Sequence, residues 1–153
     1  MKWINHNIVT FSTVYMFTND LCAASMSLLG AVFPDFAEGK PTQGSSAQYW
    51  RWRKQHRGFS HWLFFYVALL LLLLWARQHY SYFLAHPMGA TFCLYFLIGC
   101  ILHILEDAIC GKVPFFNLKK KYGIKCFEVG GVLEYLFVIA FVVLCVLVKL
   151  KFV

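Results

Sequence analysis

Three apolar segments in this chain are each long enough to cross a lipid bilayer as a single helix, and they limit its fold more than any other feature. A helix needs roughly 20 residues to span a hydrocarbon core of about 30 Å. Apolar residues make up 60% of the sequence and charged residues 14%, whereas soluble domains have roughly 45–50% and 25%. We therefore predict an all-α fold, a polytopic membrane helical bundle with transmembrane helices at 58–78, 88–107 and 129–149.

A fourth apolar region, residues 8–33, is interrupted by the polar residues Thr18, Asn19 and Asp20. The apolar stretches on either side of these three residues are each too short to cross a bilayer comfortably. Threonine, asparagine and aspartate also favour turns and helix amino-terminal caps. Pro34 should stop the second arm, because a continuing helix tolerates proline poorly. We interpret the region as a broken helix or a helical hairpin. The chain is then one membrane-embedded domain, with the hairpin at 1–35 and basic loops at 36–57 and 108–128.

The basic residues are distributed unevenly along the chain. Lys2 and five basic residues in each of the two loops make eleven on one side of the membrane, while three remain for the other side: Arg77, Lys149 and Lys151. Positive charge in short loops marks the cytoplasmic face. We expect a multi-pass membrane protein, with its basic loops and the histidines and acids beside them on that face. The same charge attracts anionic lipid headgroups.

The amino-terminal stretch has no small-residue cleavage site, so we expect no cleaved signal peptide. Of the six cysteines, Cys110 and Cys126 are the candidates for a disulfide. A cytoplasmic location favours free thiols instead.

Histidines and acids are predicted to gather at one end of the bundle. His103 and Asp107 are four residues apart and share one helical face. Imidazole and carboxylate groups suit a divalent metal, with zinc as the first choice and manganese as the second. The candidate ligands exceed the needs of one tetrahedral zinc, so we expect one or two ions. They are His6, Asp35, His56, His61, His103 and Asp107.

Each of these residues also has an ordinary explanation, since a histidine near a helix end is more often an interfacial polar residue than a ligand. Glu134 lies inside the last predicted span, where an ionised side chain costs about 2.5–3.5 kcal/mol. It is either a ligand or a general base, or else it reaches back to the loop lysines. Glu106 neighbours the face of His103 and Asp107 but should point elsewhere.

Four motifs occur in a fixed order: His6, GAVFPD at 30–35, HRGFSH at 56–61 and HILEDAICGKVPFF at 103–116. In this order the chain resembles the YdjM-like, LexA-regulated inner-membrane metal-dependent hydrolases of bacteria, over residues 1–117. That family often has a second acid two places after the aspartate of PD, where this chain has Ala37. If that second acid binds a metal in the family, its replacement by alanine bears on whether a second metal site in this chain is occupied. The family is also similar in ligand order to zinc-dependent phospholipases C, which points to phosphoester chemistry.

The leading hypothesis is a membrane-embedded metal-dependent hydrolase that acts on a phosphoester or ester through metal-activated water. A lipid or lipid-linked phosphate at the membrane interface is the expected substrate. Arg57 would bind the anionic group of the substrate through its planar pair of donors, and Asp107 or Glu134 would accept the proton.

The alternative is a non-enzymatic membrane interaction subunit, or a metal-binding protein whose His/Asp site is structural. An oligomer or a membrane-protein partner is compatible with either hypothesis. No specific nucleic acid is expected, because Trp50 and Trp52 near a membrane face are better explained as interfacial anchors.

Overall fold

Six α-helices and almost no sheet make up the part of the chain that the computed structural model describes, residues 1–39 and 56–152. This confirms the predicted all-α bundle. Most of the predicted basic loop, including Arg51, Arg53 and Lys54, lies outside the described residues. The helices are α1 (Trp3–Thr18), α2 (Leu21–Glu38), α3 (Leu63–His79), α4 (Ser81–Ala85), α5 (Pro87–Cys110) and α6 (Val132–Phe152), and a 3-10 helix at Phe59–His61 precedes α3.

The amino-terminal region is a helical hairpin, as one of the two interpretations predicted. Asn19 ends α1 in the left-handed backbone region with φ of 53°, and its N–H donates to the carbonyl of Tyr15. Asp20 then caps α2, because its side chain accepts from the backbone N–H groups of Cys22 and Ala23 at 2.8 and 3.2 Å. Local capping chemistry therefore reverses the chain between the two arms.

The expectation that Pro34 ends the second arm is wrong, since α2 continues through it to Glu38. Proline removes the helical hydrogen bond to the carbonyl four residues earlier, here that of Gly30. Apolar helices tolerate this loss where a neighbouring helix packs against the segment. As a result the second arm has 18 residues and is long and apolar enough to cross a membrane, contrary to the prediction that it was too short.

Among the described residues, α5 and the segment Val132–Lys151 of α6 are also long and apolar enough to cross a membrane, whereas α3 is apolar but shorter. These helices leave large apolar side chains exposed on their outer faces, among them Leu71, Leu72 and Leu147. Contact with lipid acyl chains accounts for such a surface. The chain is therefore a membrane protein.

The two central helices, α2 and α5, pack backbone against backbone. A Cβ atom on Gly30 would overlap the carbonyl oxygen of Phe96, and one on Gly99 would overlap that of Ser27. Small residues at such a crossing allow membrane helices to approach closely. This approach brings the carboxyl-terminal ends of α2 and α5 together at one end of the bundle.

The segment between α5 and α6 folds back over that end. Strands β1 (Val113–Pro114) and β2 (Lys121–Tyr122) pair antiparallel. The N–H groups of Ile124 and Cys126 donate to the carbonyls of Ala108 and Ile109, each at 2.8 Å. All six cysteines lie within the described residues and are free, so Cys110 and Cys126 do not pair.

Candidate metal centre

Four side chains meet where α2 and α5 end and where the 3-10 helix precedes α3. We call them the inner group: Asp35, His61, His103 and Asp107, whose ligand atoms all lie within 4.8 Å of one another. Both histidines are fully buried and Asp107 is 1% exposed, whereas the Asp35 side chain is 16% exposed. All four are among the metal ligands predicted from the sequence, and the structure brings them together.

The spacing within the inner group matches a tetrahedral ligand set. The Nε2 atom of His61 lies 3.2 Å from Asp35 Oδ1, 3.4 Å from Asp107 Oδ2 and 3.3 Å from His103 Nε2. The Nε2 atom of His103 lies 3.7 and 3.9 Å from the same two carboxylate oxygens. Ligands bound to zinc at 2.0–2.1 Å in a tetrahedron are about 3.3 Å apart. The three separations around His61 Nε2 are close to this value, and the two from His103 Nε2 exceed it by a few tenths of an ångström.

The hydrogen bonds of the two histidines leave their inward nitrogens free to ligate. His103 Nδ1 donates to the carbonyl of Ala31 at 2.5 Å, so the neutral ring carries its lone pair on Nε2. His61 Nδ1 lies 2.9 Å from the Ser60 hydroxyl and 3.6 Å from the Glu38 carboxylate, which places its proton there. Two lone pairs then face each other at 3.3 Å, an arrangement that a cation between them stabilises.

A buried carboxylate oxygen gives a second indication of a cation. Asp35 Oδ1 is buried and has no hydrogen-bond partner among the described residues. Buried polar atoms are normally paired, because an unpaired one costs free energy. The donor set and this atom together fit a divalent ion such as zinc.

His6 lies beside the inner group and outside it. Its ring stacks on that of His103 with centroids 3.9 Å apart, and its Nε2 is 3.4 Å from Asp107 Oδ1. Glu106 holds His6 in place: its Oε2 is 2.6 Å from His6 Nδ1, and its Oε1 accepts from the Thr10 hydroxyl at 2.9 Å. Among the described residues Glu106 is a member of neither metal group, but its contact with His6 was not predicted: its carboxylate orients this histidine beside the inner group.

Two positively charged groups pair with the carboxylate of Asp107. Arg57 Nε lies 2.8 Å from Asp107 Oδ2, and its Nη2 donates to Oδ1 at 2.9 Å. The amine of Met1 donates to the same Oδ1 at 2.6 Å. Burial lowers the pKa of this amine, but the Asp107 carboxylate outweighs burial and raises the pKa above its ordinary value. Gly111 leaves room for the guanidinium, because a Cβ there would overlap Arg57 Nη1.

A second set of side chains, the outer group, consists of Asp35, Glu38 and His56. His56 Nδ1 lies 2.7 Å from Glu38 Oε2, and the two side chains are 26% and 13% exposed. The structure thus separates His56 from the inner group. Glu38 was missed because Pro34 was expected to end the helix. The available signal was its position three residues after Asp35, which puts both carboxylates on one helical face.

Glu134 belongs to neither group among the described residues. It is fully buried and accepts hydrogen bonds from the backbone N–H groups of Lys2 and Gly130 and from the Asn5 side chain. These contacts dock α6 onto the start of α1. The contact of this carboxylate with a lysine is with the backbone N–H of Lys2, which is not one of the loop lysines.

A cavity of about 1010 Å³ adjoins both groups. The residues that line it include Asp35, Asp107, His56, Arg57 and Lys125. The inner group therefore adjoins a cavity with several cations on its wall, and Asp35 is its most exposed member.

Fold and site together define a class: a polytopic membrane protein with a candidate His/Asp metal centre at one end of its helical bundle. The chain belongs to the YdjM inner membrane protein family, whose model matches residues 1–152. The family resemblance seen in the sequence is confirmed and extends through the last helix. No curated protein and no solved structure matches the chain.

Proposed function

We propose that this protein is a membrane-embedded, metal-dependent hydrolase that cleaves a phosphoester or ester of a lipid or lipid-linked phosphate. The observation that supports this most is that the inner group adjoins the cavity: Asp35 and Asp107 are both among its lining residues, and the Asp35 side chain is 16% exposed. A purely structural site is normally closed, whereas a catalytic site keeps access for substrate.

The chemistry follows from the residues at the cavity wall. A divalent ion, zinc or else manganese, would be held by the inner group and would supply water of pKa about 7 and Lewis-acid polarisation of a phosphoryl or acyl oxygen. Asp107 would accept the proton of that water. Arg57 would bind the anionic group of the substrate by turning its planar pair of donors from the Asp107 carboxylate, which they contact here, to the substrate.

The location of the cavity favours a lipid substrate. Lys2, Arg57 and Lys125 line it at one end of the bundle, and a basic residue beside a membrane attracts anionic headgroups by about 1 kcal/mol. We place this end at the cytoplasmic face of the inner membrane, because most basic residues of the chain belong to loops on that side. Headgroup phosphates then lie level with the metal centre.

One observation favours the alternative of a structural metal in a non-enzymatic membrane subunit. The inner group already offers four protein ligands, and four such ligands are typical of structural zinc. The exchange His103→Ala separates the two functions. A structural ion predicts loss of folded protein, whereas a catalytic ion predicts folded protein that no longer hydrolyses its substrate.

The experiment uses protein purified in detergent without chelators. Zinc and manganese are measured by mass spectrometry, and cleavage of phosphatidylglycerol and of a phosphodiester reporter is followed in parallel. We expect bound metal and hydrolysis in the wild type, and loss of both in folded His103→Ala protein. His79→Ala is the matched control, because His79 is exposed and contacts the carbonyl of Trp75 on α3. Metal-free wild-type protein, or undiminished hydrolysis by His103→Ala, would overturn the proposal.

A further inference from the structure

We infer that the outer group, Asp35, Glu38 and His56, is a second divalent-cation site that shares Asp35 with the first. The inference rests on the proposed function, because it takes the inner group to hold a metal. It adds a residue, Glu38, that neither the motifs nor the family resemblance supplied. It also assigns His56 to this second ion.

The geometry supports the site in two ways. The ligand atoms of the three residues lie within 4.8 Å of one another, one imidazole nitrogen with two carboxylate oxygens. This mixed set suits zinc or manganese. Glu38 Oε2 also lies 3.6 Å from His61 Nδ1, so this carboxylate links the two groups.

Asp35 is placed to serve both ions. Its Oδ1 lies toward the inner histidines and has no hydrogen-bond partner among the described residues, while its Oδ2 accepts a single hydrogen bond, from Trp3 Nε1 at 2.9 Å. Paired ions in hydrolytic sites lie about 3.5–4 Å apart, a separation that a shared carboxylate imposes.

The charges of the two groups indicate what a second ion would do. Two divalent ions would bring four positive charges, against the three negative charges of Asp35, Asp107 and Glu38, and Asp107 is already paired with Arg57 and the Met1 amine. The outer site keeps a net positive charge beside the cavity, where Asp35 and His56 both form part of the wall. A phosphate group of the substrate is the natural counterion for such a site.

Glu38 also has an ordinary structural role, and the test has to separate the two. Its carboxylate accepts from the backbone N–H groups of Arg57 at 3.1 Å and Gly58 at 3.5 Å, which anchors the turn before the 3-10 helix. The exchange Glu38→Gln keeps an acceptor oxygen for the closer amide, that of Arg57, loses the long contact with Gly58, and removes the charge that a metal requires. His56→Asn removes the imidazole ligand from the other side of the site.

The experiment is a zinc titration of metal-stripped protein in detergent, with bound zinc counted after equilibrium dialysis and folding checked by gel filtration. We expect two ions per wild-type chain and one ion per chain in Glu38→Gln and in His56→Asn. Glu128→Gln is the matched control, because Glu128 is an exposed acid on the same cavity wall. It should keep both ions.

Each other outcome overturns a defined part of the scheme. One ion in the wild type and one in both variants would remove the outer site while leaving the inner site and the proposed function in place. Two ions in every variant would remove the assignment to Glu38 and His56. No bound zinc in the wild type would overturn the proposed function as well.

Discussion

The inner and outer groups share Asp35 but are built in different ways. In the inner group His103 and Asp107 project from one helix that packs closely on α2, and the separations from His61 Nε2 and His103 Nε2 fall between 3.2 and 3.9 Å. In the outer group His56 comes from the segment before the 3-10 helix and lies 2.7 Å from the Glu38 carboxylate, which is closer than two ligands of one ion. Helix packing preorganises the first group, whereas the second has to open to accept an ion.

The exchange Asp35→Asn should have the largest effect, because it removes the charged ligand common to both groups. We expect loss of both ions and a fall in hydrolysis of about 10³-fold, the equivalent of the several kcal/mol that a metal contributes to a transition state. Zinc titration and the reporter assay measure the two effects. An Asp35→Asn protein that binds either ion with wild-type affinity would contradict the shared role.

The exchange Gly99→Ala tests whether the packing of α5 on α2 determines the geometry of the inner group and leaves that of the outer group unaffected. The added methyl group would overlap the Ser27 carbonyl, so α5 has to move away from α2. We expect a loss of about 1–3 kcal/mol in stability, and a weaker inner site with the outer site nearly unchanged, since the latter includes no residue of α5.

Thermal unfolding in detergent and the zinc titration measure these effects, and Gly89→Ala is the control. Gly89 lies on the same helix, and its Cβ would meet no atom within 4 Å. Equal weakening of both sites by Gly99→Ala would contradict the idea that the packing of α5 on α2 determines the inner group and not the outer group.

The exchange Lys125→Gln should have the smallest effect. Lys125 lines the cavity but belongs to neither group, so we expect two bound ions and a rise of about fivefold in KM for anionic lipid, the equivalent of roughly 1 kcal/mol. Initial rates on phosphatidylglycerol vesicles measure it. Lys151→Gln, at the far end of α6, should leave KM unchanged; a similar rise in that variant would mean that the effect is not local to the cavity.

The hairpin and the inner group could be predicted from sequence because their signals are local. Asn19 and Asp20 carry the turn and cap chemistry themselves, and the spacing of His103 and Asp107 fixes their common face. Once the chain reverses at residue 19, His6 and Asp35 have to lie at the same end of the bundle.

Glu38 and Glu106 could not be placed in the same way. Glu38 depends on α2 continuing past Pro34, which the backbone contact of Gly30 with α5 permits and no local rule foretells. The role of Glu106 depends on Thr10 and His6 of α1 lying against α5. Both positions result from helix–helix packing, which sequence patterns record only indirectly.

The unequal lengths of α3 and α5 have a consequence for how the protein sits in its bilayer. α3 has 17 residues and α5 has 24, or about 26 and 36 Å at 1.5 Å per residue. A bilayer that matches one helix mismatches the other, so α5 has to tilt or the bilayer has to deform around it. Because the candidate metal ligands His103 and Asp107 lie near the end of α5, the acyl-chain length of the host lipid sets the depth of the candidate centre relative to the phosphate layer.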